Sequence, residues 1–515
     1  MLRSKISRRK FIAASGSAAA IGTSFLGLPA HAASGVRTLR IASGAGDGPK
    51  GTLDPAHSTS DPDAARISLV FERLVVLDET FTPTPQLATS WTTNETADLW
   101  TFALRRGVRF HDGETFTAKD VVYTYRRLLD PATASPASSA LAPIDPNGIE
   151  AVDDATVRFR LKAPVVAFPE LIANLFTYIV RDGQPGDRIR TQGLGTGPFK
   201  VKQFIPGEEP SLFVKNEQYW QPGLPKVDAV ELRSIPDPSA RIAAITSGQL
   251  DLLWDVPRLG LDQFEKNPDI RIVTIHTPYV LAFSAWTDTP PFDDVRVRQA
   301  LKLAIDRKQM LQLALGGHGQ IAGDSPVAPW VRYGLQDPPK PRDIAQAKRL
   351  LAEAGHGGGL EIELHTSEVT SGFIELSTLF QAQVAEAGVA VKLIKEPADG
   401  YWSNIWLKKS FVMSSWSGRS ADDALSVAYL SDAKWNETHW RLPEYDKYIA
   451  EARRTLDEAK RGALYRQAQQ MLRDDGGAII PVFPDAIGAT RANVTGWKPH
   501  PQQYFKDFSR VDFTS

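Results

Sequence analysis

The chain has no cysteine. That excludes disulfides, thiolate nucleophiles, thiolate zinc sites and a lipid-modified cysteine, and leaves packing as the only source of stability. It also lacks a dominant charge. The formal net charge of −1 falls only to −6 once Arg3, Lys5, Arg8, Arg9 and Lys10, the charged residues of the first 33, are set aside. A nucleic-acid partner would need a basic domain or a clustered Lys/Arg face, and neither is present. No G-x-S-x-G nucleophile motif and no H-E-x-x-H zinc motif occurs, so nothing positive supports catalysis and no cofactor is expected. Low-complexity tracts and short-period repeats are missing too, which argues against disorder or a solenoid.

What is present is an ordinary globular composition, 42% hydrophobic and 23% charged, over 515 residues. One hydrophobic core seldom organises so long a chain, and two or three lobes are expected. At the amino end, Ser7 to Ile12 carry paired arginines followed by Phe11. An Ala- and Gly-rich apolar stretch runs from Ala13 to Leu28, ahead of the small-residue site Ala30-His31-Ala32. This pattern predicts a twin-arginine export signal over residues 1–33, cleaved after Ala32 or Ala33. The apolar stretch is shorter than the ~20 residues of a bilayer helix and carries Gly16, Gly22 and Gly27. A second apolar stretch, Ala163 to Val180, contains Pro164, Pro169, Glu170 and Asn174 and reads as buried lobe structure instead.

The segment from Trp100 to Arg127 has the clearest local grammar. Trp100, Phe102 and Leu104 alternate as one face of a strand, Val108 and Phe110 resume the alternation, and Asp112-Gly113 makes a tight turn. Thr117 with Asp120 three residues on predicts a capped helix start, with Val121, Val122, Tyr125, Leu128 and Leu129 as its apolar stripe until Pro131. Elsewhere Thr38 to Ala42 reads as a strand opening into the small-sided loop Ser43 to Gly51, where a ligand can approach the backbone closely. Ala240 to Thr246 reads as a helix passing into the apolar run Leu250 to Trp254. Asp294 is expected to cap a helix burying Val297, Leu301, Ala304, Ile305, Leu311 and Leu315, and another helix runs from Ile344 to Ala354. Helices at 443–456 and 459–473 precede a buried strand at 478–484. Short strands alternating with helices make the fold class α/β or mixed α+β.

Several of these segments together resemble the extracytoplasmic solute-binding proteins of peptide, nickel and opine ABC importers. The most specific is WTFALRRGVRFHDGETFTAKDVV, Trp100 to Val122, preceded by Pro85 to Trp91. Supporting matches are Gly195 to Phe199, Gly248 to Asp251, Val295 to Leu301 with Ala304 to Arg307, and Ala347 to Gly355. The resemblance implies a two-lobed periplasmic-binding-protein clamshell of mixed sheets flanked by helices, with an additional subdomain. Lobe I would take residues 34–70, 190–280 and 478–515, the subdomain 71–189 and lobe II 281–477. It further implies a periplasmic monomer that closes over a small-molecule or peptide ligand and delivers it to an ABC permease in the inner membrane. A protein sensing ligand for a membrane receptor would share all of this except the partner.

Binders of this type commonly neutralise a peptide's amino terminus with a cleft aspartate, and the resemblance sets Arg419 at that position, within Trp416 to Asp423. A guanidinium suits a carboxylate or another oxyanion, held by two parallel hydrogen bonds. Asp422 either takes over amine recognition or fixes Arg419 as an ion-pair partner. Trp416 is either a cleft wall or core, and the same choice applies to Tyr401, Trp402 and Trp406. Gly44, Ala45, Gly46 and Tyr279 are cleft elements by resemblance alone. Three other patterns carry no chemistry. Gly193-x-Gly195-x-Gly197 is followed by Pro198 and a strand, where a phosphate loop needs a helix. His111 has no partner at metal-ligand spacing, and the adjacent pairs Asp153-Asp154 and Asp422-Asp423 are no evidence for acid/base work.

Overall fold

The computed structural model describes residues 35–44, 48–58, 60–256, 260–502 and 506–514. The export signal expected over residues 1–33, and Ala45 and Gly46 of the glycine-rich loop, lie outside the described residues.

The first strand, β1 (Thr38–Ser43), buries Leu39 and Ile41 completely. A short hairpin of β2 (Val75–Leu77) and β3 (Pro83–Pro85) follows, with Phe81 buried at its tip at a φ of +61°. β4 (Ala88–Thr93), β5 (Leu99–Leu104), β6 (Ile144–Asp153) and β7 (Thr156–Leu161) then form a separate antiparallel sheet in the order β4-β5-β7-β6. Trp100, Phe102 and Leu104 all point into its core, as alternation requires. The Asp112-Gly113 turn uses a φ of +94° at the glycine. The helix Ala118–Leu129 starts in a capping box, Thr117 N–H donating to Asp120 Oδ2 at 2.8 Å. It buries Val121, Tyr125 and Leu128, with Tyr125 edge-on to Phe159 at 5.0 Å. This is the additional subdomain.

β1 and eleven later strands build one twelve-stranded sheet that runs through both lobes, while Val494–Thr495 and Asp512–Phe513 pair separately. β8 (Phe199–Gln203), β9 (Ser211–Lys215), β10 (Ala229–Ser234), β11 (Leu252–Leu253) and β12 (Ile270–His276) lie on the lobe I side. β13 (Val280–Ala285), β14 (Gly319–Ile321), β15 (Leu360–Ser367), β16 (Val389–Glu396) and β17 (Phe411–Trp416) lie on the lobe II side. The path is β16-β15-β17-β13-β18-β11-β1-β10-β9-β8, where β18 (Ala478–Arg491) also pairs with β12 and β14. β18 is the long strand that belongs to both lobes. Its residues Ala478, Ile479 and Val482 pair with β13, and Asp485 to Arg491 pair with β12. Along β18 the pairing thus passes from β13 to β12 between Val482 and Asp485. The other crossing is the short link from β12 to β13, and Thr277 Oγ1 ties the two together by donating to Pro484 O at 2.7 Å. The architecture is thus the mixed α/β clamshell with an added subdomain.

Two features differ from the sequence reading or explain it. The single helix expected from Asp294 through Leu315 is two, Val295–Ala304 and Arg307–Leu315. The break comes at Asp306, whose side chain accepts Gln309 N–H at 2.9 Å and caps a second helix, as Asp294 caps the first through Arg296 N–H at 2.8 Å. The glycines at 195 and 197 serve close packing: a Cβ on Gly195 would lie 2.0 Å from Val70 O, and Gly197 N–H donates to that oxygen at 2.8 Å. Among the described residues no helix is long and apolar enough to cross a membrane. The stretch 163–180 is irregular and largely buried, apart from a short turn of helix at Phe168–Leu171.

The subdomain is bonded to lobe II as well as inserted in lobe I. Val166 N–H donates to Arg453 O at 3.0 Å and Arg332 N–H to Thr80 O at 2.9 Å, while Arg332 pairs with the half-buried Glu170 at 3.1 Å.

Candidate functional site

In open α/β sheets ligands bind outside the carboxyl ends of parallel strands, because loops diverge there and leave a crevice. β15 runs parallel to β16 and to β17, so Ser367, Glu396 and Trp416 end along one edge of lobe II. Val280 pairs with Trp416, which sets that edge beside the β12–β13 crossing. In lobe I, β1 runs parallel to β10 and β11. Val256 N–H, just past β11, donates to Ile487 O at 2.9 Å, two residues from the crossing in β18. Strand ends of both lobes therefore face the same pair of crossing segments.

On the lobe II side Arg419 follows Trp416 by three residues. Its Nη1 donates to Asp423 Oδ2 at 2.7 Å, its guanidinium lies 5.6 Å from the Trp416 ring centre, and its Nε is buried without an acceptor among the described residues. The carboxylate beside Arg419 is thus that of Asp423, not Asp422. Asp422 accepts Arg453 Nε and Nη2 at 2.8 and 3.0 Å and the Tyr465 hydroxyl at 2.9 Å. Burial, and then the Asp422 charge, push the Tyr465 hydroxyl well above its ordinary range. Gly418 has room for no side chain, since a Cβ would sit 2.9 Å from Pro278 Cγ and 3.1 Å from Phe81 Cζ.

The aromatic residues divide. Tyr401 is fully buried and its hydroxyl donates to Met413 O at 2.8 Å, the bonding of a core residue. Trp402 is 39% exposed and meets Trp406 edge-on at 5.9 Å. Trp406 and Trp416 pack at 5.8 Å, and the exposed Trp435 lies within 6.4 Å of both. Beneath them is a residue the sequence reading did not single out. Glu437, 1% exposed, accepts Trp416 Nε1 at 3.0 Å, Trp406 Nε1 at 2.7 Å and the Ser284 and Ser414 hydroxyls at 2.9 and 3.0 Å. Burial raises its pKa while the four neutral donors oppose the rise. Its one local signal is an acid set between Trp435 and Trp440.

Tyr279 is half-buried on the β12–β13 crossing, its N–H donating to Thr277 Oγ1 at 3.3 Å. Gly44 ends the described part of its loop, and a Cβ there would lie 3.1 Å from Arg241 Nη1. His111 is packed in its turn: its ring Nε2 donates to Gly197 O at 3.0 Å and burial lowers its pKa to about 4. A concavity of about 1030 Å³ lies elsewhere, between the Ala118–Leu129 helix and β6–β7 of the subdomain, lined in part by Lys119, Arg126 and Arg160.

Residues 82–438 match the family model of bacterial extracellular solute-binding proteins, family 5 Middle. The chain belongs to that family. Among curated relatives of this family 5 protein, the glutathione-binding protein GsiB of Shigella dysenteriae is 28% identical over 472 residues, covering 88% of this chain and 91% of the relative. Two solved structures share the fold. HbpA2 from Haemophilus parasuis superposes with a TM-score of 0.82 at 24% identity, over 93% of this chain and 100% of that one. The periplasmic binding protein DppA from Helicobacter pylori, in complex with the peptide STSA, gives 0.72 at 25% identity, over 92% and 98%.

Proposed function

We propose that this chain is the exported, periplasmic ligand-capturing component of an ABC importer. It takes a small organic solute, a peptide, a modified peptide or a carboxylate-bearing opine-like compound, into the crevice between its lobes and delivers it to an inner-membrane permease. The observation that carries this reading is the convergence of strand carboxyl ends from two lobes on a shared pair of crossing segments, in a chain of the solute-binding family. Ligand contact in the closed form stabilises that form, and the permease reads it. Relatives named for glutathione and crystallised with a tetrapeptide support a peptide-like ligand.

Within the crevice we assign Arg419 to a ligand carboxylate. Its guanidinium is already oriented by Asp423 and Trp416, which is the preorganisation an anion site needs. Trp416, Trp402 and Tyr279 line the wall beside it. Asp422 and Tyr401 serve structure, given their bonding to Arg453 and Met413. The twin-arginine signal over residues 1–33 exports the chain folded and is removed, and the mature protein acts as a monomer without a lipid anchor.

A thermal-shift screen of the mature protein against peptides, glutathione, opines and oligosaccharides tests the reading. Ligand at 100 times its Kd adds about 2.7 kcal/mol and raises the melting temperature measurably. Compounds carrying a carboxylate are expected among the hits, and their effect is lost in Arg419→Ala. A screen in which nothing binds overturns the reading.

A further inference from the structure

Lobe I carries a charged group at the crevice that the account so far leaves unused. Asp255 stands two residues past the end of β11. The β1–β11 register pairs Ile41 with Leu252 and Ala42 with Leu253, and carried on by two residues it sets Asp255 beside Gly44, against which the Arg241 guanidinium packs. Its next neighbour, Val256, is the residue bonded to Ile487 near the crossing. Asp255 is therefore on the crevice edge of lobe I, as Arg419 is on that of lobe II.

Asp255 is exposed, and its carboxylate has no hydrogen bond or ion pair among the described residues. The cations that act on it bond to other groups: Arg241 Nη1 donates to Ile235 O at 2.8 Å, while its Nε meets no acceptor among the described residues, and Lys506 pairs with Asp61 at 3.3 Å. Asp61 also accepts the Trp254 indole N–H. The side chain reaches solvent, yet burial pushes its carboxyl above the ordinary range, Asp61 adds to the rise, and Arg241 and Lys506 only partly offset it. An ammonium held at this exposed carboxylate as the lobes close would lose water around the pair, which strengthens the attraction.

We propose that Asp255 is the cation-binding group of the crevice, so that the ligand carries both a protonated amine and a carboxylate, the amine held by lobe I at Asp255 and the carboxylate by lobe II at Arg419. This rests on the solute-binding reading above and narrows its substrate class. It also gives the arginine at position 419 a counterpart: the polarity that a peptide binder places on lobe II is inverted, with the acid on the opposite lobe. Each pole touches a different lobe, so both contacts form only when the lobes close. That is the differential affinity a closing protein requires.

The test uses wild type, Asp255→Asn and Arg419→Gln, with tri-alanine and glutathione as probes, each also N-acetylated and C-amidated, and Kd values from calorimetry. Wild type is expected to lose about 10-fold or more on acetylation and on amidation, the scale of one charge-assisted hydrogen bond. Asp255→Asn is expected to bind the free-amine and acetylated forms alike while still discriminating against the amide, and Arg419→Gln the reverse. Because Asp255 bonds to nothing among the described residues, Asp255→Asn should melt no lower than wild type. An amine preference that persists in Asp255→Asn, or a lowered melting temperature, overturns the assignment while the solute-binding function stands. Failure of wild type to bind any of the probes or the wider panel overturns both.

Discussion

Replacing Asp422 with asparagine separates structure from ligand recognition at the acid one turn from Arg419. Asp422 Oδ1 accepts Arg453 Nε and the Tyr465 hydroxyl, and Oδ2 accepts Arg453 Nη2. An asparagine that keeps its oxygen at Oδ1 retains two bonds to a neutral acceptor, turns an N–H2 toward Nη2 and removes the charge. Breaking a fully buried ion pair from one side costs about 3–5 kcal/mol, whereas exposed pairs contribute about 0–1. The Asp422 side chain is 20% exposed and that of Arg453 35%, so a loss of about 2–3 kcal/mol is expected once solvent screening is counted. Arg453 O accepts Val166 N–H, so the damage should fall on the joint between subdomain and lobe II. Urea unfolding of both proteins gives the stability difference, and calorimetry with a ligand from the screen gives the affinity. The expected result is the stability loss with Kd changed by less than about threefold, as befits a site that shares no partner with the ligand. Stability within about 0.5 kcal/mol of wild type, with affinity down more than about tenfold, would refute the reasoning and move Asp422 into the binding site.

Burial holds the Glu72 carboxyl at about 7 despite bonds from Trp220, Thr196 and Tyr219. A folded-state pKa above the unfolded value favours the native state at low pH, and that advantage, about 3 kcal/mol at most, is lost as pH rises from 4.5 through 7. Glu72→Gln should therefore lose less stability than wild type between pH 5 and pH 8, and parallel pH profiles would contradict this. Glu437→Gln leaves three donors on the amide oxygen but sets an N–H2 against Trp406 Nε1, a cost of about 1–3 kcal/mol. It should also shift the tryptophan emission, and unchanged emission and melting would dismiss the role of Glu437 in fixing the indoles. Gly195→Ala drives a methyl into Val70 O and should cost more than about 3 kcal/mol. A variant melting with wild type would show that the two backbones can part.

The local units were legible in the chain because their signals lie within a few residues. Strand alternation from Trp100 to Leu104, the glycine turn at Gly113 and the Thr117–Asp120 cap specify the heart of the subdomain without long-range information. The break between the Val295–Ala304 and Arg307–Leu315 helices was harder, because apolar periodicity continues across it and only the second aspartate cap marks the end. The double pairing of β18 was out of reach, since its partners Leu281 and Ile270 to His276 lie about 200 residues away and its apolar pattern carries no mark of its neighbours. Arg419 was proposed from a motif position, but that Asp423 rather than Asp422 orients it depends on the helical turn between them. Glu437 and Asp255 escaped notice for one reason. A lone acid shows nothing in sequence of whether four neutral donors or none will meet it.

Small-angle X-ray scattering of the mature protein, with and without a saturating ligand from the screen, tests the central claim most directly. Capture between hinged lobes predicts one-to-one binding with a smaller radius of gyration in the complex. Tight binding that leaves the scattering profile unchanged would contradict it.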